Sequence, residues 1–186
     1  MRMRSNWFKS EKPRSLKESA GALGFISWQI ASERVRNMEA NKFYIDLPDR
    51  TLKVIAEYLI FISHMMDRLS YEQITNEERG ELISALALKQ ADIFADNCVD
   101  AKERVLSSDG YIELLNQRYG EYAEFEMLPD REPSYSFYRH LAQSICSAMG
   151  KEYERNVTEQ VIEIEGPECI VLIKRAMKNL LPETDS

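Results

Sequence analysis

Most of the chain has the hydrophobic periodicity of amphipathic helices, and two of the helix starts carry a capping signature. Ser15 is followed three residues later by Glu18, and Thr75 is followed in the same way by Glu78. In such a pair, the hydroxyl and the carboxylate satisfy backbone N–H groups at the first helical turn. Apolar residues recur at helical spacing after both pairs. The sequence therefore predicts one helix over residues 15–40 and another that starts at Thr75.

The segment after Asp46 predicts a helix that is apolar on nearly every side. Pro48 suits the first turn of a helix, because its missing N–H group would have no partner there. No turn signal follows before the end of the apolar run. A helix that is apolar all round belongs in the middle of a bundle or against a partner. The apolar positions are Leu52, Val54, Ile55, Leu59, Ile60, Phe61, Ile62, Met65, Met66 and Leu69.

The second half of the chain predicts shorter helices separated by turn residues. Gly166-Pro167 is expected to stop the sixth helix, because proline removes a backbone hydrogen bond. Val161–Glu165 alternates like a strand but is assigned to a helix, since no second strand exists to pair with it. A last helix follows Pro167. The expected limits of helices three to six are Thr75 to about Val105, the Ser107–Gly110 turn to Met127, Pro133 to Met149, and Tyr153 to Glu165.

These elements predict an all-α fold, a single-domain bundle of about six or seven helices. The 7 Gly and 6 Pro are too few for a turn-rich all-β chain. No internal repeat is present, and no linker is long enough to separate two folding units. The expected organisation is a flexible basic arm over residues 1–14, a helical domain over 15–181 and an acidic tail over 182–186.

The charge is unevenly distributed along the 186 residues, whose net charge is −7. The first 18 residues carry six basic and two acidic side chains, which leaves −11 for the rest of the chain. An acidic body repels a phosphate backbone, so we expect no DNA binding. The basic arm, which also contains Trp7 and Phe8, is the part expected to dock onto a partner or to make weak contact with a membrane surface.

The cysteines and the hydropathy favour a cytoplasmic protein. Cys98, Cys146 and Cys169 are odd in number, lie far apart and form no CxxC pair, so a disulfide scaffold is not expected. No uninterrupted apolar run reaches the roughly 18 residues of a membrane span. The glycines form neither a P-loop nor a GxGxxG fingerprint, and no cofactor is predicted.

The histidines offer the main candidate for chemistry. His64 lies in the most apolar helix, with Asp67 three residues later and Glu57 seven residues earlier, so all three share one side of the helix. If the second and fifth helices pack together, His140 joins them in an acid–base or metal pocket. The alternative is that His64 is a core imidazole whose partner is Asp67 or a backbone carbonyl. A di-iron centre is not expected, since the chain lacks a Glu-x-x-His motif.

A row of aspartates on the third helix is a second candidate. Asp92, Asp96 and Asp100 recur every four residues and therefore lie on one face. The ordinary meaning of such a row is a solvated helix face. A weaker alternative is a cation site, because carboxylates are the ligands that Mg²⁺ prefers. No metal is predicted as the main interpretation.

Aromatic residues supply the candidate interaction surface. A tyrosine stripe on the fourth and fifth helices indicates either core packing or an interface, where Tyr is enriched. The favoured function is that of a non-catalytic interaction protein, such as an adaptor, regulator or assembly factor, that forms a homodimer. The alternative is a helical-bundle enzyme or small-ligand-binding protein with a pocket around His64, His140 and Glu57. The predicted interaction residues are Trp7, Phe8, Tyr111, Tyr119, Tyr122, Tyr135 and Tyr138.

Overall fold

A computed structural model describes residues 15–45, 47–71, 73–151 and 154–181. These residues form an all-α bundle, which confirms the predicted fold class. The arm and tail predicted at the two ends, with Trp7 and Phe8, lie outside the described residues. The helices are α1 (Leu16–Ala40), α2 (Pro48–Ser70), α3 (Asn76–Asp100), α4 (Ser108–Ala123), α5 (Tyr135–Ala148), α6 (Arg155–Gln160) and α7 (Gly166–Leu180).

Both predicted capping pairs are formed. At the start of α1, the Ser15 N–H donates to Glu18 Oε2 at 2.9 Å and the Glu18 N–H donates to Ser15 Oγ at 3.2 Å. The Thr75 and Glu78 pair repeats this arrangement at the start of α3, with distances of 3.0 and 3.2 Å. Each pair satisfies two backbone donors that the first helical turn leaves without partners.

Helix α2 is the centre of the bundle, as its all-round apolar pattern predicts. Every residue from Val54 to Met66 is buried, and α2 packs against α1, α3, α4, α5 and α7. Polar side chains within this stretch must therefore find their partners on neighbouring helices rather than in water. Ser63 does so, since its hydroxyl donates to Gln90 Oε1 on α3 at 2.6 Å.

Two helices end earlier than their apolar patterns predict. Helix α3 stops at Asp100 instead of near Val105, because Lys102 adopts a left-handed φ of 58°. This turn lets the Glu103 N–H donate to the Cys98 carbonyl at 2.9 Å, which closes the helix end. Helix α4 stops before Met127, which instead forms a single antiparallel bridge with Pro133. The predicted starts of α5 and α6 are each two residues early.

The prediction that Gly166-Pro167 stops a helix is wrong. Residues Val161–Glu165 form a π-helical turn that joins α6 to α7 without a break. In that turn the Gly166 N–H donates to the Val161 carbonyl, five residues back, and Pro167 occupies the first turn of α7. Proline lacks the N–H that a regular helix would require, and an irregular wide turn directly before it removes that requirement. The assignment of Val161–Glu165 to a helix rather than a strand is confirmed.

Candidate functional site

A cleft of about 900 Å³ opens at the end of α2, where α2 meets the start of α3 and the loop between α4 and α5 (residues 124–134). This volume lies in the range of small-molecule sites. Its walls combine arginines, acidic residues and aromatic rings. The lining residues are His64, Asp67, Arg68, Tyr71, Arg79, Tyr119, Ala123, Phe125, Glu126, Met127, Leu128, Pro129 and Arg131.

His64 lines this cleft although only 3% of its surface is exposed. Its ring meets Tyr119 edge-on and stacks on Tyr122, with centroids 4.9 and 5.2 Å away. Arg68, one helical turn later, donates from Nε to His64 Nε2 at 3.2 Å. Burial, together with the charge of Arg68, lowers the pKa of His64 to about 3. The imidazole is therefore neutral near neutral pH, and because Nε2 accepts a hydrogen bond, we assign the ring proton to Nδ1.

Three hydrogen-bond donors in the cleft lining are buried without a partner among the described residues. They are His64 Nδ1, the Tyr119 hydroxyl and Arg79 Nε. The Tyr119 hydroxyl lies close to the hydroxyl of Ser63, which donates its own proton to Gln90. An unsatisfied buried donor costs about 1–3 kcal/mol. All three donors belong to residues that line the cleft.

Arg68 is the cleft arginine whose charge is least compensated. Besides His64, it donates from Nη2 to the carbonyls of Ala123 and Phe125, at 3.4 and 3.5 Å. These two distances exceed the usual range of about 2.7–3.2 Å, so both hydrogen bonds are weak. No carboxylate lies within 4.0 Å of this guanidinium in the part of the chain that the structure describes. The positive charge of Arg68 at the wall of the cleft is therefore not paired with a described carboxylate.

The other charged residues of the cleft nearly balance one another. Arg79 pairs with Asp67 at 2.6 Å and lies over the ring of Tyr71, 5.4 Å from its centroid. Arg131 donates from Nη2 to a backbone carbonyl of α2 at 2.8 Å, and Glu126 is exposed. The described lining of the cleft thus includes three arginines and two carboxylates.

Glu57 and His140, which were predicted to join His64, belong to a separate chain of ion pairs. Glu57 accepts two hydrogen bonds from Arg118, at 2.9 and 2.8 Å. Arg118 also binds Glu121 at 2.9 Å, and Glu121 Oε2 lies 2.9 Å from His140 Nε2. His140 Nε2 forms no hydrogen bond with a described residue. The hydrogen bonds that Arg118 donates to the buried Glu57 raise the pKa of Arg118, which stays charged.

In the part of the chain that the structure describes, His64 and Glu57 line different clefts rather than one pocket shared with His140. The fully buried ring of Tyr122 contacts both histidines, with centroids 5.2 Å from His64 and 4.8 Å from His140. Glu57 lines a different cleft, of about 260 Å³. Asp67 does not orient His64 either, because it pairs with Arg79. The alternative of a core imidazole comes closer, but its partner is Arg68 rather than Asp67 or a carbonyl.

The aspartate row on α3 is a solvated face. Asp92, Asp96 and Asp100 are all exposed. Among the described residues, no three His, Cys, Asp or Glu side chains converge in a way that would hold a metal ion. The weaker alternative of a cation site on these aspartates is therefore not supported by the geometry.

The tyrosine stripe is mostly core. Tyr111 and Tyr122 are fully buried, which corrects their prediction as interaction residues. The Tyr111 hydroxyl donates to Gln90 Oε1 at 3.1 Å. Tyr119 and Tyr138 are half-buried, and only Tyr135 of this set is largely exposed, at 63%.

A buried ion pair that sequence reasoning missed lies at the π-helical turn. Glu165 is fully buried, and its Oε1 accepts hydrogen bonds from Asn37 at 2.6 Å and Gln160 at 2.8 Å. Arg34 Nη1 lies 3.4 Å from Glu165 Oε2 and also pairs with Glu168. Burial raises the pKa of Glu165, although these partners work against the shift. Nothing in the charge pattern distinguishes Arg34 or Glu165 from surface residues, so no sequence signal identified the pair.

Comparisons with known proteins add no homologue to this description. No protein-family model matches the chain, and neither the curated proteins nor the solved structures yield a match. Of the helices described, none combines the length and the hydropathy that crossing a membrane requires. Function must therefore be inferred from the chemistry of the cleft.

Proposed function

We propose that this chain is a non-catalytic binding protein that holds a small organic ligand in the cleft at the end of α2. The observation that carries the proposal is the set of three buried donors without partners, on His64, Arg79 and Tyr119, in the lining of one cleft. Buried polar groups in folded proteins are nearly always hydrogen-bonded. A ligand that accepts hydrogen bonds would satisfy them, and the cleft is large enough to admit one.

The lining favours binding over catalysis. A general acid or base works best with a pKa near the working pH, whereas the pKa of His64 is lowered to about 3. The carboxylate of Asp67 is already paired with Arg79 in an ion pair. Among the described residues, the lining of the cleft also has no Ser, Thr, Cys or Lys side chain that would act as a nucleophile.

The proposal keeps the expected class of non-catalytic binding protein but changes the binding surface. Two of the tyrosines predicted for an interface, Tyr111 and Tyr122, are core residues that a partner cannot reach. The homodimer, the docking role of residues 1–14 and the weak membrane contact remain predictions.

Blocking the cleft tests the proposal. The full chain is screened by thermal shift against a set of small acids, amides, alcohols and amines. Ala123 is exposed and lines the cleft, so Ala123→Trp fills the site. Ala40→Trp places the same side chain at an exposed position at the end of α1.

We expect the compounds that raise the melting temperature of the wild type to act equally on Ala40→Trp and to lose their effect on Ala123→Trp. The absence of any stabilising compound, or stabilisation that survives in Ala123→Trp, would overturn the proposal.

A further inference from the structure

The donor chemistry of the cleft points to one class of ligand. Of the three unsatisfied groups on lining residues, His64 Nδ1 and Arg79 Nε are donors only, and the Tyr119 hydroxyl can also donate. Arg79 also forms an ion pair with Asp67. The guanidinium of Arg68 lies in the same cleft, and its described partners are all neutral. A group with several acceptor lone pairs and a negative charge satisfies such a set better than a neutral group does.

The guanidinium of Arg68 is oriented by His64 and is only weakly bonded at its other end. Its Nε is fixed by His64 Nε2 at 3.2 Å, whereas its Nη2 makes only the two long contacts with the carbonyls of Ala123 and Phe125. An anion that replaced these long contacts would form a shorter hydrogen bond between two opposite charges. Because His64 is neutral, it orients Arg68 without adding a second charge next to it. His64 is thus a positioning residue.

The α4–α5 loop adds apolar side chains to the lining of the cleft. Beside Glu126 and Arg131, it contributes Phe125, Met127, Leu128 and Pro129. Leu128 is 45% exposed, so part of this surface faces solvent in the free protein. A ligand that consisted of a charged group alone would leave these side chains uncovered, whereas a ligand with an apolar part would bury them.

We infer that the cleft binds small molecules with an anionic head group, a carboxylate or a phosphate monoester, attached to an apolar body. Arg68 and the Tyr119 hydroxyl bind the head group, and the 124–134 loop covers the body. This inference rests on the proposed function, because it names the class of ligand for the same cleft.

The test compares ligands that differ only in the head group. Phenylacetate, phenyl phosphate and the neutral phenylacetamide share an aromatic body, and inorganic phosphate has the charge without the body. Binding of each to the full chain is measured by isothermal titration calorimetry. The variants are Arg68→Gln and Tyr119→Phe, with Arg36→Gln as the control, since Arg36 is an exposed arginine on α1.

We expect at least one of the two aromatic anions to bind at least about tenfold more tightly than phenylacetamide and than inorganic phosphate, which corresponds to one charge-assisted hydrogen bond. The preference between phenylacetate and phenyl phosphate identifies the head group. Arg68→Gln should reduce anion binding by at least about tenfold, while Arg36→Gln leaves it unchanged. Tyr119→Phe removes a single hydroxyl from an intact fold and should also weaken binding.

Equal binding of the acid and the amide would overturn the anionic preference, and so would unchanged anion binding by Arg68→Gln and Tyr119→Phe. Either result can occur while Ala123→Trp still abolishes the stabilisation of the protein by neutral compounds. The failure of this inference is therefore distinguishable from the failure of the proposed function. Weak binding of all four probes, with neutral compounds as the only cleft-dependent hits, would overturn it as well.

Discussion

Lowering the pH from 7 to 5 should destabilise the protein through His64. Burial, with the charge of Arg68, lowers the pKa of His64 from 6.5 to about 3 in the folded chain. The unfolded chain takes up a proton on this residue as the pH falls below about 6.5, but the folded chain does not do so until about pH 3. Because the unfolded state binds more protons in this window, the free energy of unfolding must fall as the pH falls.

The size of the effect follows from the same two pKa values. Between pH 7 and pH 5, protonation of the unfolded chain at His64 should reduce the free energy of unfolding by about 2 kcal/mol. His64→Gln removes the titration but retains an acceptor, because the Gln carbonyl oxygen can take the hydrogen bond that Arg68 Nε donates to His64 Nε2.

The measurement is urea unfolding of both proteins at pH 7, 6 and 5. Between pH 7 and pH 5, the free energy of unfolding of the wild type should fall by about 2 kcal/mol more than that of His64→Gln. All other titrating groups, including His140, are common to both proteins and cancel in the comparison. Equal losses in the two proteins, or an NMR titration that places the pKa of His64 near 6.5, would refute the burial argument.

Three further predictions concern packing and assembly. Arg118→Met should lower the free energy of unfolding by about 3 kcal/mol in urea titrations, because it leaves Glu57 buried without its partner; a double variant with Glu57→Met should recover part of the loss. Gly166→Ala should cost about 1–3 kcal/mol, since the new Cβ would lie 2.5 Å from the nearest ring atom of Tyr138. Gly120→Ala, with nothing within 4 Å, should be neutral or stabilising. Sedimentation at tens of micromolar should show a dimer, and a monomer would contradict the self-association prediction.

The elements that local chemistry controls were predictable from the sequence. The Ser15–Glu18 and Thr75–Glu78 pairs mark the starts of α1 and α3, because capping depends on residues three apart and needs no tertiary information. The central place of α2 was predictable too, since a helix that is apolar all round has no face to offer to water.

The helix ends and the π-helical turn were not predictable in this way. Nothing in the apolar pattern distinguishes residues 101–105 from the helix before them, and the left-handed turn at Lys102 decides the end of α3. At Gly166, the ring of Tyr138 packs where a Cβ would otherwise stand. The helix continues through Pro167 where α5 approaches closely and Glu165 is buried. The close approach and the burial are tertiary effects, and they outweigh the local stop signal of Gly166-Pro167.

The same limit explains why His64 was recognised but its neighbours were not. Helical periodicity places His64 on α2 and His140 on α5, and the two helices do pack together. It does not give the rotation of one helix about its axis relative to the other, and here the ring of Tyr122 contacts both histidines. The cleft forms instead at the end of α2, beside the start of α3 and the 124–134 loop. At this end of the helix, the charged Arg68 of the last turn lies beside the buried His64, and it donates a hydrogen bond to that imidazole.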